Sequence, residues 1–128
     1  MGKVIVAGGG AAGMMAAAAA AQAGHQVTLY EKNEKLGKKI FITGKGRCNL
    51  TNACDAEELP AAVLSNPKFL YSAFHKFDNK KTMEFFESNG CGLKTERGNR
   101  VFPVSDHAYD VTDALKRRMD RLHVQVRL

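Results

Sequence analysis

Lys3-Val4-Ile5-Val6-Ala7-Gly8-Gly9-Gly10-Ala11-Ala12-Gly13 opens the chain. An alanine-rich run follows to Ala23, and Gln26-Val27-Thr28-Leu29-Tyr30-Glu31 closes the stretch. Val4 to Ala7 is a short, partly β-branched apolar run, which predicts a strand buried on both faces. In Gly8-x-Gly10-x-x-Gly13, the first glycine permits a tight turn and the second lets a diphosphate approach the backbone. The third allows a helix to pack closely on the strand. Ala11 to Ala23 has high helix propensity, and Gly24 is a natural stop. Gln26 to Tyr30 reads as a second strand. Glu31 lies eighteen residues after Gly13, where a carboxylate can accept from ribose hydroxyls. Strand, glycine turn, helix, strand and acid, in that order, make a dinucleotide-binding βαβ unit. The amides at the helix start and its positive dipole end favour a diphosphate.

Residues 4–24 carry no charge and follow Lys3, as a membrane span or signal sequence would. Glycines interrupt that run, however, and the rest is mostly Ala, which is weakly apolar. Met1-Gly2 lacks the Ser or Thr that myristoylation needs at position 6, which is Val. The expectation is a soluble, cytoplasmic protein with no membrane partner.

The chain has 128 residues, about one domain, with ordinary apolar and charged fractions and no repeat. Three cysteines, an odd number, give no disulfide framework. The four histidines lack ligand spacing, so no metal site is expected. The net charge of +6 is concentrated: Lys32, Lys35, Lys38, Lys39, Lys45 and Arg47 fall within sixteen residues that contain one acid, Glu34. Three readings stay open for this run: a nucleic-acid patch, attraction of an anionic ligand, or a solvated loop. Phe41 is its only aromatic, so a base-stacking platform is missing. Beside a pyrophosphate site, ligand attraction is the economical reading, and nucleic acid is not the expected partner.

Residues 32–55 predict a long functional loop leaving the ligand-binding edge of the sheet. Glu57–Leu64 predicts a short helix, and Asn66-Pro67 an N-cap followed by the first helical position. Leu70, Ala73, Phe74 and Phe77 would share one buried helical face. Asp78 or Asn79 would cap a helix ending near Gly90. Leu93–Glu96 and Arg100–Val104 would pair through Gly98-Asn99. Asp106 would cap a helix from His107 to Leu122 that buries Ala108, Val111, Leu115, Met119 and Leu122. His123–Leu128 would form a third strand. The fold class is therefore α/β, Rossmann-like, with three parallel strands and a helical and hairpin crossover. Since such domains use more strands, residues 1–128 are expected to be the N-terminal part of a domain whose sheet the rest of a parent chain completes.

Two further strings are specific. Leu36-Gly37-Lys38-Lys39-Ile40-Phe41-Ile42-Thr43-Gly44-Lys45-Gly46-Arg47-Cys48-Asn49-Leu50-Thr51-Asn52 and Gly98-Asn99-Arg100-Val101-Phe102-Pro103-Val104-Ser105-Asp106 join the glycine fingerprint. Together they resemble the BaiN-like, aminoacetone-oxidase-type family of bacterial FAD-dependent oxidoreductases, over essentially the whole chain. The resemblance implies FAD as cofactor, with NAD(P)H a candidate electron donor to a full-length protein, and a small-molecule substrate of unspecified kind. By matching position, Gly8, Gly10, Ala11, Ala12 and Gly13 would lie along the FAD pyrophosphate. Glu31 would hold the adenosine ribose, with Lys32 near the adenine end. Lys39 and the Gly46-Arg47-Cys48-Asn49 loop would approach the ribityl and flavin end. No nucleophile or acid–base pair is assigned. Glu31 would repel the 2′-phosphate of NADPH. The family's substrate domain and C-terminal FAD segment have no counterpart here. The rival expectations are a non-catalytic dinucleotide-binding fragment and a basic, RNA-associated flavoprotein.

Overall fold

The computed structural model describes all of residues 1–128. Strand β1 (Lys3–Ala7), helix α1 (Ala11–Gln22) and strand β2 (Gln26–Tyr30) form the expected βαβ unit, with β1 and β2 parallel in the register Lys3 to Gln26 through Ala7 to Tyr30. Gly24 takes φ +93° just past the helix end. Eight of the twelve residues of α1 are alanine, and the helix is buried through Met14, Ala17 and Ala18. Small side chains let its backbone approach the sheet. A third strand, β6 (Gln125–Arg127), pairs parallel to β2 on the side away from β1, so the order is β1-β2-β6.

The crossover between β2 and β6 contains its own small sheet. Strands β3 (Thr51–Asn52) and β4 (Leu93–Glu96) both pair antiparallel with β5 (Arg100–Pro103). Short helices α2 (Glu58–Ala61) and α3 (Tyr71–Lys76) precede α4 (Asn79–Ser88), and α5 (Ala108–Arg121) leads into β6. Helix α5 buries Val111, Leu115 and Met119, which with Met14, Val27 and Leu29 form the centre of the core. Each such side chain contributes about 2 kcal/mol on burial. Helices α1 and α5 pack together on one face of the parallel sheet.

Several expectations are corrected. Strand β1 is covered on one face only: Val4 and Val6 are half-buried, but Ile5 is 72% exposed, because β1 is an edge strand and no element covers that face. Residues 32–55 are more ordered than a loop. Ile40–Gly46 winds into 3₁₀ turns broken at Gly44-Lys45, and Thr51–Asn52 joins the small sheet. The helix expected over Glu57–Leu64 contracts to α2. Asn66 does not cap through its side chain; it adopts a left-handed conformation (φ 51°), and Pro67 begins a 3₁₀ turn to Leu70.

The face of Leu70, Ala73, Phe74 and Phe77 is not core. Ala73 and Phe77 are exposed, Leu70 and Phe74 half-buried, and nearby Phe69 is 80% exposed. Helix α3 has six residues and packs mainly on α2 and the Pro67–Leu70 turn, and none of its residues belongs to the main core. Asp78 does cap α4, accepting from the Lys81 amide at 2.9 Å. Asn79 instead turns inward and donates to the carbonyls of Asn52 and Cys54, both at 2.7 Å. Asp106 is no cap for α5. The Ser105 hydroxyl accepts from the His107 amide at 3.1 Å, and the Asp106 carboxylate turns toward two cations instead. Leu122, expected in the buried stripe of α5, is half-buried, while Thr112 and Ala114 are buried. No helix is long and apolar enough to cross a membrane.

Candidate functional site

Two glycine-containing loops face each other across a cavity of about 620 Å³ at the C-terminal ends of β1 and β2. This is the edge where open parallel sheets bind ligands. The first loop, Gly8–Gly13, supplies one wall. Gly8 takes φ +106°, a conformation that L side chains rarely adopt, and its amide donates to the Tyr30 carbonyl at 2.7 Å. A Cβ on Gly13 would collide with the Gly8 carbonyl oxygen, so this close approach of helix to strand requires glycine. A Cβ on Gly10 would meet nothing within 4 Å, because the space beside it is the cavity. The helical ladder begins with the Met14 amide on the Gly10 carbonyl at 2.9 Å. The amides before it have no intrahelical acceptor and sit at the positive end of α1. A cradle of this kind, open at Gly10 and lined by first-turn amides, fits a diphosphate.

Glu31 ties this loop to β2. Its carboxylate accepts from the Asn33 amide at 2.7 Å and the Gly9 amide at 2.9 Å. These two hydrogen bonds, Asn33 first, hold it below the usual carboxylate range. A fixed, ionised acceptor at the end of the second strand suits a pair of hydroxyls. Gly9 was not singled out by its spacing, yet it is constrained. A Cβ there would run into the end of Leu36 and lie 3.2 Å from both Glu31 Cβ and Leu29 Cδ2.

The second loop, Gly44–Asn49, forms the facing wall through Cys48 and Asn49. Lys45 and Cys48 both have left-handed backbones (φ 56° and 61°). Such conformations cost about 1–2 kcal/mol each in non-glycine residues and persist where their surroundings impose them. Arg47, between them, explains the imposition. Its guanidinium pairs with Glu96 and with Asp106 (Nη2 to Oδ1, 2.6 Å), and lies 3.9 Å from the centroid of the Phe102 ring. Lys94 completes the cluster, 3.2 Å from Glu96 and 2.8 Å from Asp106. Hydrogen bonds from Arg47 and then Lys94 depress the Glu96 carboxyl; those from Lys94 and then Arg47 depress Asp106. Asn49, with its amide nitrogen toward the sheet, donates to the carbonyls of Thr51 (3.1 Å) and Val101 (3.3 Å). The Cys48 thiol is buried, and burial pushes its pKa up, so it is a neutral packing group. All three cysteines are free.

The structure therefore brings Gly8, Gly10, Ala11, Ala12, Gly13, Glu31, Lys39, Cys48 and Asn49 to one cavity. Lys32, Gly46 and Arg47 do not line it, and Arg47 is turned away, its charge matched by Glu96 and Asp106. The cavity also includes residues that sequence reasoning did not nominate: Asn33, Lys38 and Thr43 among the polar ones, and Met15, Phe86 and Leu115 among the apolar. The position of Asn33, two residues past Glu31, was the one local signal available. Two cations of the basic run are engaged locally: Lys38 pairs with Glu34 at 3.5 Å, and Lys35 sits 4.1 Å over the Phe41 ring, which attracts the ammonium without cancelling its charge.

Comparison with known proteins agrees with this architecture. The chain is 38% identical over 101 residues to a 3-dehydro-bile acid delta(4,6)-reductase of Clostridium scindens, covering 79% of this chain and 24% of that protein. It is 35% identical over 108 residues to a ribosomal RNA dihydrouridine synthase of Escherichia coli, covering 84% of this chain and 26% of that one. The Haemophilus influenzae protein of the same name is 32% identical over 109 residues, with the same coverage. The chain thus spans about a quarter of the length of these relatives. Among solved structures, THI4 of Thermovibrio ammonificans superposes with a TM-score of 0.59 at 14% identity, covering 97% of this chain and 36% of that one. That likeness concerns the fold. The family model described as the HI0933-like protein Rossmann domain matches residues 2–128. The chain belongs to the HI0933-like family and carries its dinucleotide-binding Rossmann domain.

Proposed function

We propose that this domain binds FAD in the cavity between the two loops, as part of a flavin-dependent reductase that saturates a carbon–carbon double bond. The observation that carries the cofactor reading is the Gly10 opening beside unpaired first-turn amides, with the ionised Glu31 at the end of β2. In this reading the backbone of Gly8, Gly10, Ala11, Ala12 and Gly13 holds the pyrophosphate. Glu31 accepts from the adenosine ribose hydroxyls through the lone pairs that Gly9 and Asn33 leave free. Lys32 stands near the adenine end as a solvent-side cation. Lys39 and Asn49 serve the ribityl and flavin end, where a cation favours the anionic reduced cofactor. Cys48 shapes that wall, and Arg47 and Gly46 hold the loop without touching the ligand. FAD, when bound, supplies hydride chemistry, and the protein orients it and excludes water.

The bond type follows from the names of the relatives. One is a reductase of the 4,6-diene of a 3-oxo bile acid, the others make dihydrouridine, and both reactions saturate a double bond conjugated to a carbonyl. The shared requirement is a hydride donor beside an electron-poor alkene, a role that FAD would fill. A second reading, in which that alkene is a uracil in RNA, is favoured by the two synthase-named relatives and by the cations of residues 32–47. Retention of ribosomal RNA that falls steeply with salt would select it.

The cofactor reading is tested by titrating the chain into FAD and, separately, FMN. Flavin emission, excited in the visible, is read apart from the protein's own ultraviolet fluorescence. FAD is expected to show saturable anisotropy, and FMN, which lacks the adenylate and the diphosphate bridge, at least about tenfold weaker binding, equivalent to 1.4 kcal/mol. Equal affinity for the two, or none for either, would refute the assignment.

A further inference from the structure

A second cavity of about 280 Å³ lies behind the Gly44–Asn49 loop, lined by Gly44, Lys45, Arg47, Asn49, Arg100 and Phe102. None of the six is acidic, and three are cationic. Arg47 and Lys94 face Glu96 and Asp106, two cations against two anions, so that network is neutral in itself. Lys45 and Arg100 form no ion pair. Arg100 Nε donates to the Arg97 carbonyl at 2.9 Å, which fixes the side chain while its terminal nitrogens keep donors to spare. Phe102 is buried, with the Arg47 guanidinium over its ring and that of Arg100 5.8 Å from its centroid. Asn49 lines both this pocket and the large cavity, so the two meet at that residue.

Two unmatched cations around a concave, acid-free pocket form an anion site. A guanidinium presents paired donors to a carboxylate or phosphate, and an ammonium supplies a mobile point charge beside it. The volume is that of a small group, less than half the main cavity. We propose that this pocket is an oxyanion subsite that takes a carboxylate or phosphate group of the molecule bound next to it in the main cavity. Assigning that molecule as the substrate rests on the flavin reading; oxyanion binding itself does not.

The test uses the isotope-labelled chain without flavin, titrated with inorganic phosphate and, separately, acetate, each against sodium chloride at matched ionic strength. Saturable amide shifts are expected at residues 44–49 and 100–102. Lys45→Gln and Arg100→Gln should each weaken binding at least about fivefold while keeping a dispersed spectrum, since both side chains are exposed. Lys80→Ala, on exposed α4, should leave binding unchanged. Saturation by phosphate alone identifies a phosphate-bearing ligand, and saturation by acetate identifies a carboxylate. Shifts no larger than chloride produces, shifts confined to residues 35–39, or equal weakening in Lys80→Ala would overturn the proposal. None of these readings depends on whether FAD binds.

Discussion

The Gly8–Gly13 and Gly44–Asn49 loops line the same cavity but are shaped by different forces. The first is set by its own backbone. Gly8 takes a left-handed turn, Gly13 abuts the Gly8 carbonyl, and outside support comes from the end of β2, through the Tyr30 carbonyl on the Gly8 amide and the Glu31 carboxylate on the Gly9 amide. The second is set from a distance. Arg47 is gripped by Glu96 and Asp106, forty-nine and fifty-nine residues away, and by the Phe102 ring. One loop therefore depends on the absence of side chains and the other on the presence of one. Substitutions should separate them.

The largest effect belongs to the first loop. Gly13→Val places side-chain carbon on the Gly8 carbonyl and should destabilise the chain by about 3 kcal/mol or more, or prevent folding. Denaturant melts followed by circular dichroism measure it, and a loss below about 1 kcal/mol would show that helix and strand can separate cheaply. Gly10→Ala sharpens the contrast, because its Cβ meets only open space. Its melt should match the native chain, while FAD affinity falls at least about tenfold, or 1.4 kcal/mol. Unchanged affinity would remove the diphosphate from Gly10.

In the second loop, Arg47→Ala should leave the first loop folded and release Cys48. At neutral pH the native chain should expose one readily labelled thiol, the half-buried Cys54, because Cys48 and Cys91 are buried and burial raises both, Cys91 to about 11. In the variant, Cys48 labelling should rise roughly tenfold as its opening becomes local rather than global. Equal labelling in both proteins would mean that the ion cluster does not shape the loop.

The smallest effect is in acid. Glu96 and Asp106 have folded-state pKa values below their unfolded ones, near 4. The cluster's contribution is therefore fully present above about pH 5 and is lost as pH falls through the depressed values. Exchange of the Cys48 amide, bonded to the Thr43 carbonyl at 3.1 Å, should accelerate below pH 4 in the native chain beyond its intrinsic pH dependence. Arg47→Ala should flatten that excess, and an excess of equal size in the variant would assign it to another carboxylate.

The same division accounts for what could be read from the sequence. Strand β1, helix α1, strand β2 and the acid after them follow from local propensity, small side chains and fixed spacing, and they appear where expected. The hairpin of β4 and β5 also announced itself, since Gly98 and Asn99 are adjacent residues suited to the left-handed turn they adopt. Leu70, Phe74 and Phe77 carried the right period but misled, because periodicity says that a helix has an apolar face and not that anything covers it.

Arg47 marks the limit of the reading. Its string pointed to the family, and its neighbours Cys48 and Asn49 do line the cavity. As an isolated letter beside a phosphate motif, it read as a ligand donor. Only the tertiary structure brings Glu96, Asp106 and Phe102 against it and so turns a free charge into a clamp. The sequence by itself determined the glycine-turn half of the cavity, because backbone sterics and helix ends act within a few residues. Which cations were neutralised, and which were left free at Lys45 and Arg100, depended on pairings across half the chain, and those exist only once it has folded.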